Sequence, residues 1–191
     1  MPPGLYEAFL NSKGVCTDTR NLEANTLFFA LKGANFNGNA FAEKALESGC
    51  SLAVVDEAAH ATNEKTVLVT DVLSTLQALA HHHRKQLTIP VIGITGSNGK
   101  TSTKELISGV LSQRFKTYAT HGNLNNHIGV PLSLLSIRED IEMAVIEMGA
   151  NHIGEIAALS AIAELRHNGK QRIRIDVTQF LLVLSKSSRS A

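Results

Sequence analysis

The 191-residue chain has few cysteines, no long apolar run and almost no net charge. Cys16 and Cys50 are too few and too scattered for a disulfide framework or a zinc cluster. They read as small buried apolar residues of a reducing compartment. The opening "MPPGLYEAFL" lacks the basic segment and long apolar core of a secretory leader, and no apolar stretch is long enough to span a bilayer. A cytoplasmic protein without membrane insertion is therefore expected. Net charge is +1, and the one local excess lies in residues 164–191, where six Lys/Arg face Glu164 and Asp176. That tail carries no recognition motif, so no nucleic-acid partner is expected. Internal repeats and low-complexity segments are absent, and so is the Gly-x-Gly-x-x-Gly pattern of a dinucleotide site.

What is present is an ordinary globular composition, 43% hydrophobic and 18% charged, in a length that fits one large or two small domains. Residues 26–31 ("TLFFAL"), 52–56 ("LAVVD") and 66–70 ("TVLVT") read as strands. The segment "AFAEKALESG" between the first two reads as a helix closed by Gly49. Residues 71–86 read as one helix capped by Asp71, with Val72, Leu76, Leu79 and Ala80 on one face. Its end, "HHHRK", places three histidines side by side. Consecutive helical residues point in different directions, so these three do not converge on one ion. After "LTIP" a second α/β unit begins: "VIGIT" as a strand, residues 100–112 as a helix with Leu106, Ile107, Val110 and Leu111 on one side, and "MAVIEMG" as a buried strand. This order implies a parallel sheet. The expected division is 1–86, 87–163 and a divergent basic tail, 164–191.

The stretch "VIGITGSNGKTSTKE" carries the chemistry. Glycines at 96 and 99 let a loop turn backbone N–H groups toward an anion at a helix start. Lys100 supplies a point charge for phosphates, and the Thr101 hydroxyl can ligate magnesium. The general nucleotide-loop spacing would put its first glycine at Ile94, whereas the nearest here are Gly93 and Gly96. Glu147 ends the apolar run "AVIEMG", where nucleotide hydrolases hold magnesium from a neighbouring strand. Taken alone, it reads as a solvated strand-end carboxylate; paired with "GSNGKT", it reads as a metal-linked acid. Between the two lies "THGNLNNHIGVPLSLL", which reads either as a polar loop feeding a short helix at the ligand face of the sheet or as a surface turn rich in Asn and Gly.

Together, "GITGSNGKTSTKE", "GNLNNHIGVPLSLL" and "EMGANHIGEIAALS" resemble the Mur ligases in order and spacing, as do "TDTR" and "LFFALKGANFNGNAFAEKALESG" nearer the start. The resemblance covers about residues 15–163. The element "EMGANHIGEI" resembles the branch that joins D-alanyl-D-alanine to UDP-N-acetylmuramoyl-tripeptide. The resemblance implies an α/β chain: a small N-terminal substrate domain followed by an incomplete parallel-sheet P-loop ATPase-like domain. It implies ATP and Mg2+ as cofactors and a peptidoglycan-precursor reaction through an acyl phosphate, carried out by a cytoplasmic monomer. Gly96, Ser97, Asn98, Gly99, Lys100, Thr101 and Ser102 would cradle ATP, with Lys100 and Glu147 catalytic and Thr101 and Glu147 serving the metal. Asn123, Asn126 and His152 match positions near the nucleotide, and Thr19, Arg20, Lys32 and Gly33 match positions near the UDP portion of the substrate.

After about Ala163 the chain departs from the family pattern. "RIRIDV" can alternate as an edge strand and "FLLVL" can pack. The change suggests a truncated or frame-shifted product, with no efficient ligation by this chain alone and marginal solubility of an incomplete second sheet. A non-catalytic module that holds ATP or the UDP-linked precursor, and an unrelated P-loop phosphotransferase, are the alternative readings.

Overall fold

The computed structural model describes residues 1–150, 152, 154–165 and the backbone strand 172–176; "FLLVL" and the rest of the tail lie outside the described residues. Two units, Met1–Leu79 and Ala80–Ala191, each enclose a parallel sheet.

The first unit opens with α1 (Leu5–Leu10), which buries Leu5 and Phe9 one turn apart on the same face. Strand β1 (Gly14–Cys16) leads to β2 (Thr26–Phe29), all four residues of which are buried. A two-stranded hairpin, β3 (Lys32–Gly33) with β4 (Phe36–Asn37), precedes a 3-10 turn and α2 (Ala42–Glu47). Ala42 and Ala45 on α2 bring that helix close to Phe28, Ala53 and Val55. Gly49 ends it at φ 96°, the left-handed turn that a glycine adopts without strain. Strands β5 (Leu52–Val55) and β6 (Thr66–Leu68) complete a parallel sheet in the order β1-β2-β5-β6. Cys50 is buried, Cys16 is half-buried, and both are free thiols.

Helix α3 (Val72–Gln86) starts as its sequence requires: Ser74 N donates to Asp71 Oδ1 at 2.6 Å. Val72, Leu76, Leu79 and Ala80 are buried. The division between units falls inside this helix, seven residues before the 86/87 boundary read from "LTIP". Its last turns belong to the second unit, where His83 Nε2 meets Ile137 O at 2.9 Å and Arg84 Nε donates to Ala163 O at 3.2 Å. His81 instead approaches Glu164 at 3.5 Å, so the adjacent histidines diverge. Among the described residues no cluster of three or more His, Cys, Asp or Glu side chains could hold a metal ion, and no helix is long and apolar enough to cross a membrane.

In the second unit β7 (Val91–Thr95) is wholly buried and is followed by α4 (Lys100–Leu111), β8 (Thr117–Ala119) and α5 (Gly129–Leu135). After these come β9 (Met143–Glu147), α6 (Glu155–Ile162) and β10 (Arg172–Asp176). The sheet order is β10-β7-β9-β8, all parallel. Near-continuous apolar runs in β7 and β9 suit strands covered on both faces. From β7 the chain passes over β9 to β8, then returns to β9 and crosses β7 to reach β10. The chain thus leaves β7 and β9 in opposite directions, the arrangement at which parallel sheets open a crevice beyond their C-terminal ends. "RIRID" forms the expected edge strand and pairs with β7, so among the described residues the edges of this sheet are β8 and β10.

One sequence expectation changes. Leu106 and Val110 do not share a buried side with Ile107 and Leu111; they are 72% and 73% exposed. Ile107 and Leu111 pack on Ile92, Ile94 and Val145. The reason is helical geometry: neighbours in sequence are turned by about 100°, so only one of the two i, i+4 pairs faces the sheet. Strand β8 went unread because its three residues, "TYA", form no apolar run. Gly93 lies within β7, as the strand reading of "VIGIT" has it. A Cβ there would collide with the Leu165 side chain and come within 2.9 Å of Met148 Cε, so its absence permits close packing.

Candidate functional site

The loop after β7 reaches α4 through Gly96 at φ 145° and Gly99 at φ 76°, conformations that favour glycine. Gly99 caps the helix without a side-chain hydrogen bond, and the first turn holds no acid. The positive end of α4 is therefore not neutralised by its own helix, and its first-turn N–H groups have no intrahelical acceptors. Lys100 folds back onto this loop, with Nζ donating to Gly96 O at 2.6 Å and lying 3.4 Å from Ser97 O. Ser97, Asn98, Thr101 and Ser102 are exposed around it.

Glu147 is no solvated strand-end acid. It is 2% exposed at the end of β9, in register with Ile94 of β7. Its Oε1 accepts from Asn125 Nδ2 at 2.9 Å and lies 3.4 Å from Thr101 Oγ1. Its Oε2 is buried with no hydrogen-bond partner. A buried carboxylate oxygen without a donor is costly unless something else satisfies it. A hard divalent cation takes such oxygen ligands together with a hydroxyl and phosphate oxygens, so the donor set of Glu147 and Thr101 fits magnesium.

The remaining motif residues are used less uniformly. Asn126 Oδ1 accepts from Ile128 N at 3.1 Å and Gly129 N at 2.8 Å, so this oxygen caps α5. Asn123 is exposed on the same loop. His152 is exposed beyond β9, and its Nδ1 lies 3.1 Å from Glu155 Oε1. Asn125, Thr120 and Lys104 were not singled out from the sequence, yet all three bear on Glu147. Thr120 Oγ1 accepts from Glu147 N at 3.0 Å, and Lys104 Nζ donates to Thr120 O at 2.7 Å. Only the doubled asparagine in "NLNN" hinted at Asn125, and nothing local marks a lysine inside a helix as buried.

In the first unit Thr19 and Arg20 follow β1, and Lys32 and Gly33 follow β2, so all four lie at the same end of a parallel sheet. Arg20 is exposed and pairs bidentately with Asp18, at 2.9 Å from Nε to Oδ1 and 2.7 Å from Nη2 to Oδ2. These bonds pull the Asp18 carboxyl down to about 2. Lys32 Nζ sits 2.9 Å from Asp56 Oδ1 and 3.0 Å from Glu57 Oε1. Its own value rises, first through Asp56 and then through Glu57. Burial pushes Asp56 up, but hydrogen bonds from Lys32, Asn39 and the Val72 N–H outweigh it and leave the group below its ordinary value. Asn39, fully buried, donates to Asp56 Oδ1 at 2.8 Å and accepts from Asp56 N at 3.0 Å.

Known proteins resemble both units. The family model described as "Mur ligase family, catalytic domain" matches residues 11–95, and "Mur ligase middle domain" matches residues 94–167. The UDP-N-acetylmuramoyl-tripeptide--D-alanyl-D-alanine ligase of Bacillus subtilis is 46% identical over 152 residues, covering 78% of this chain and 33% of the relative. The Escherichia coli ligase of the same name is 42% identical over 153 residues, covering 80% and 34%. A crystal structure of MurF from Acinetobacter baumannii superposes with a TM-score of 0.74 at 37% identity, covering 83% of this chain and 38% of that one. MurF ligase from Thermotoga maritima, in complex with ADP, gives 0.73 at 32% identity, covering 81% and 36%. The chain thus spans about a third of the length of the curated relatives it matches. With two models of one family meeting at residues 94–95 and agreeing with relatives and solved structures alike, the chain belongs to the Mur ligase family.

Proposed function

We propose that this chain carries the substrate-binding and nucleotide-binding portions of an ATP-dependent ligase that adds D-alanyl-D-alanine to UDP-N-acetylmuramoyl-tripeptide in peptidoglycan precursor synthesis. The observation that carries this reading is the buried Glu147, whose Oε1 lies near Thr101 and whose Oε2 has no partner, at the foot of an uncapped glycine loop. Residues 1–86 form the UDP-substrate domain, 87–163 part of the ATP domain, and 164–191 the divergent tail. The protein acts as a cytoplasmic monomer, without nucleic acid or membrane insertion.

The backbone of residues 96–102 receives the ATP phosphates at the positive end of α4. Lys100 exchanges its bond to Gly96 O for phosphate oxygens, which bear full charge and make the stronger hydrogen bond. Thr101 and Glu147 would hold Mg2+, which would supply neutralisation of developing charge on the phosphate oxygens. Asn123, Asn126 and His152 border the nucleotide. Thr19, Arg20, Lys32 and Gly33 receive the UDP portion of the other substrate. A carboxylate is a poor electrophile, so the γ-phosphoryl group passes to the terminal carboxylate of the tripeptide. The dipeptide amine then attacks the acyl phosphate, forming the amide and releasing inorganic phosphate. For the chain's own residues, catalysis is chiefly positioning and charge stabilisation.

Calorimetric titration of this chain with ADP and Mg2+ tests the nucleotide site: saturable binding, markedly weakened in Lys100→Ala, is expected. Binding indifferent to that substitution removes the role given to Lys100. In a chain of the relatives' full length, phosphate release should require both the UDP-tripeptide and the dipeptide. Hydrolysis indifferent to both points to an unrelated phosphotransferase.

A further inference from the structure

Glu147 needs more than burial to serve a cation, because a carboxylate free to rotate presents its oxygens in many directions. Two contacts restrain it, each braced by a further hydrogen bond. Its backbone N–H donates to Thr120 Oγ1, and Thr120 is itself tied down by Lys104 Nζ on its carbonyl. Lys104 is 2% exposed, so the anchor of the loop over residues 121–128 is a buried cation bonded to a backbone oxygen. From that loop the Asn125 amide reaches Glu147 Oε1 at 2.9 Å. Asn125 is fixed in turn, since its carbonyl accepts from Gly149 N at 2.7 Å. Gly149 also leaves room for its side chain: a Cβ there would stand 3.1 to 3.2 Å from the Asn125 amide atoms.

The chemistry of the donor matters. A carboxylate only accepts, so the amide must present its nitrogen, which fixes which way Asn125 points. An amide restrains the carboxylate without neutralising it, whereas a lysine in the same place would cancel the charge that attracts a cation. With Oε1 engaged, Oε2 is the oxygen left for the metal.

We propose that Asn125 is a positioning residue, holding Oε1 of Glu147 so that Oε2 is kept as a ligand for the divalent cation that accompanies the nucleotide. This rests on the metal role given to Glu147 above, and the test separates the two. The probe is Mn2+, and the readouts are its affinity for the ADP-bound chain, by electron paramagnetic resonance, and the affinity for ADP in EDTA, by calorimetry. Outer-shell hydrogen bonds of this kind typically govern about 10- to 100-fold in metal affinity, and Asn125→Ala should lose that much Mn2+ affinity while ADP affinity in EDTA is unchanged. Gly149→Ala provides a second variant that keeps the asparagine. Gly149 has no positive φ, so the added methyl acts by crowding the Asn125 amide. It should weaken Mn2+ in the same direction, with thermal unfolding confirming that both variants fold.

If Glu147→Gln loses Mn2+ and Asn125→Ala does not, the inference is overturned and the role of Glu147 stands. If Asn125→Ala weakens ADP in EDTA as much as it weakens Mn2+, the residue merely supports the loop, and the inference is again overturned. If Glu147→Gln retains full Mn2+ affinity, or Mn2+ does not bind the ADP-bound chain at all, the metal role of Glu147 fails and takes this inference with it.

Discussion

In the first unit Lys32 reaches Asp56 and Glu57, and Arg20 lies against Asp18. In the second, Lys100 donates to Gly96 O and Arg84 to Ala163 O and Leu87 O, while Lys104 divides its ammonium between Thr120 O and Glu105 Oε1 and Lys116 pairs with Asp140. Both units offer loops at the C-terminal end of a parallel sheet, yet the loop lysines Lys32 and Lys100 are held differently. A carboxylate cancels a cation's charge, whereas a carbonyl oxygen binds it and leaves the net charge in place. An anion arriving at the first unit competes with carboxylates already seated. At the second it displaces a neutral carbonyl and meets an uncapped helix end as well. The glycine loop of the second unit is thus prepared for phosphate in a way that the lysine of the first is not.

The largest expected effect tests this directly. Charged hydrogen bonds contribute about 1.5–3 kcal/mol, so Lys100→Ala should weaken ADP binding about 10- to 100-fold by calorimetry. Lys32→Ala should leave it unchanged, and equal losses would erase the distinction between the units. Next in size is a pair of glycines. Gly93→Ala drives a methyl into Leu165 and Met148 and should destabilise the second unit by about 1–3 kcal/mol. Gly33→Ala in the first meets only Phe36 Cβ at 3.9 Å and should cost far less, as chemical denaturation will show.

A smaller effect separates the units by pH. Burial pushes His83 below its usual 6.5, and because Ile137 O can only accept, Nε2 carries the proton of the neutral ring. The stability this group contributes is complete above its unfolded value and is lost as pH falls through its lower folded value. Asp56 and Glu57 are likewise held below their ordinary 3.8 and 4.5, so their contribution persists to much lower pH. Lys32, raised above 10.5, loses its contribution only when alkaline pH passes its folded value. Between neutrality and about pH 5, hydrogen-exchange protection, taken against the intrinsic amide rate at each pH, should therefore fall in the second unit and hold steady in the first. His83→Gln should flatten the slope. The smallest effects belong to exposed apolar positions. Leu106→Gln on α4 and Leu68→Gln on β6 should each stay within about 0.5 kcal/mol, while Ile107→Ala, which removes packing on Ile92 and Ile94, should cost more.

Much of this was legible locally. The loop, Lys100, Thr101 and Glu147 could be read because a buried strand, small residues and a helix start follow one another in the chain, and Asp71 announced α3 for the same reason. Asn125 could not be found that way. It lies 22 residues before Glu147, and its meeting with that carboxylate depends on β8 lying beside β9. Nor could Lys32 be seen as paired, since Asp56 and Glu57 arrive from a different strand end.

The sequence by itself determined the elements, the phosphate-loop chemistry and the family resemblance, because periodicity, glycine placement and capping act over a few residues. Only the tertiary structure decided which of Leu106 and Ile107 is buried, that Glu147 keeps one oxygen unpartnered, and that Lys32 ends on carboxylates while Lys100 ends on a carbonyl. Those outcomes depend on which distant strand ends the sheet brings within hydrogen-bonding reach, and no local pattern encodes that distance.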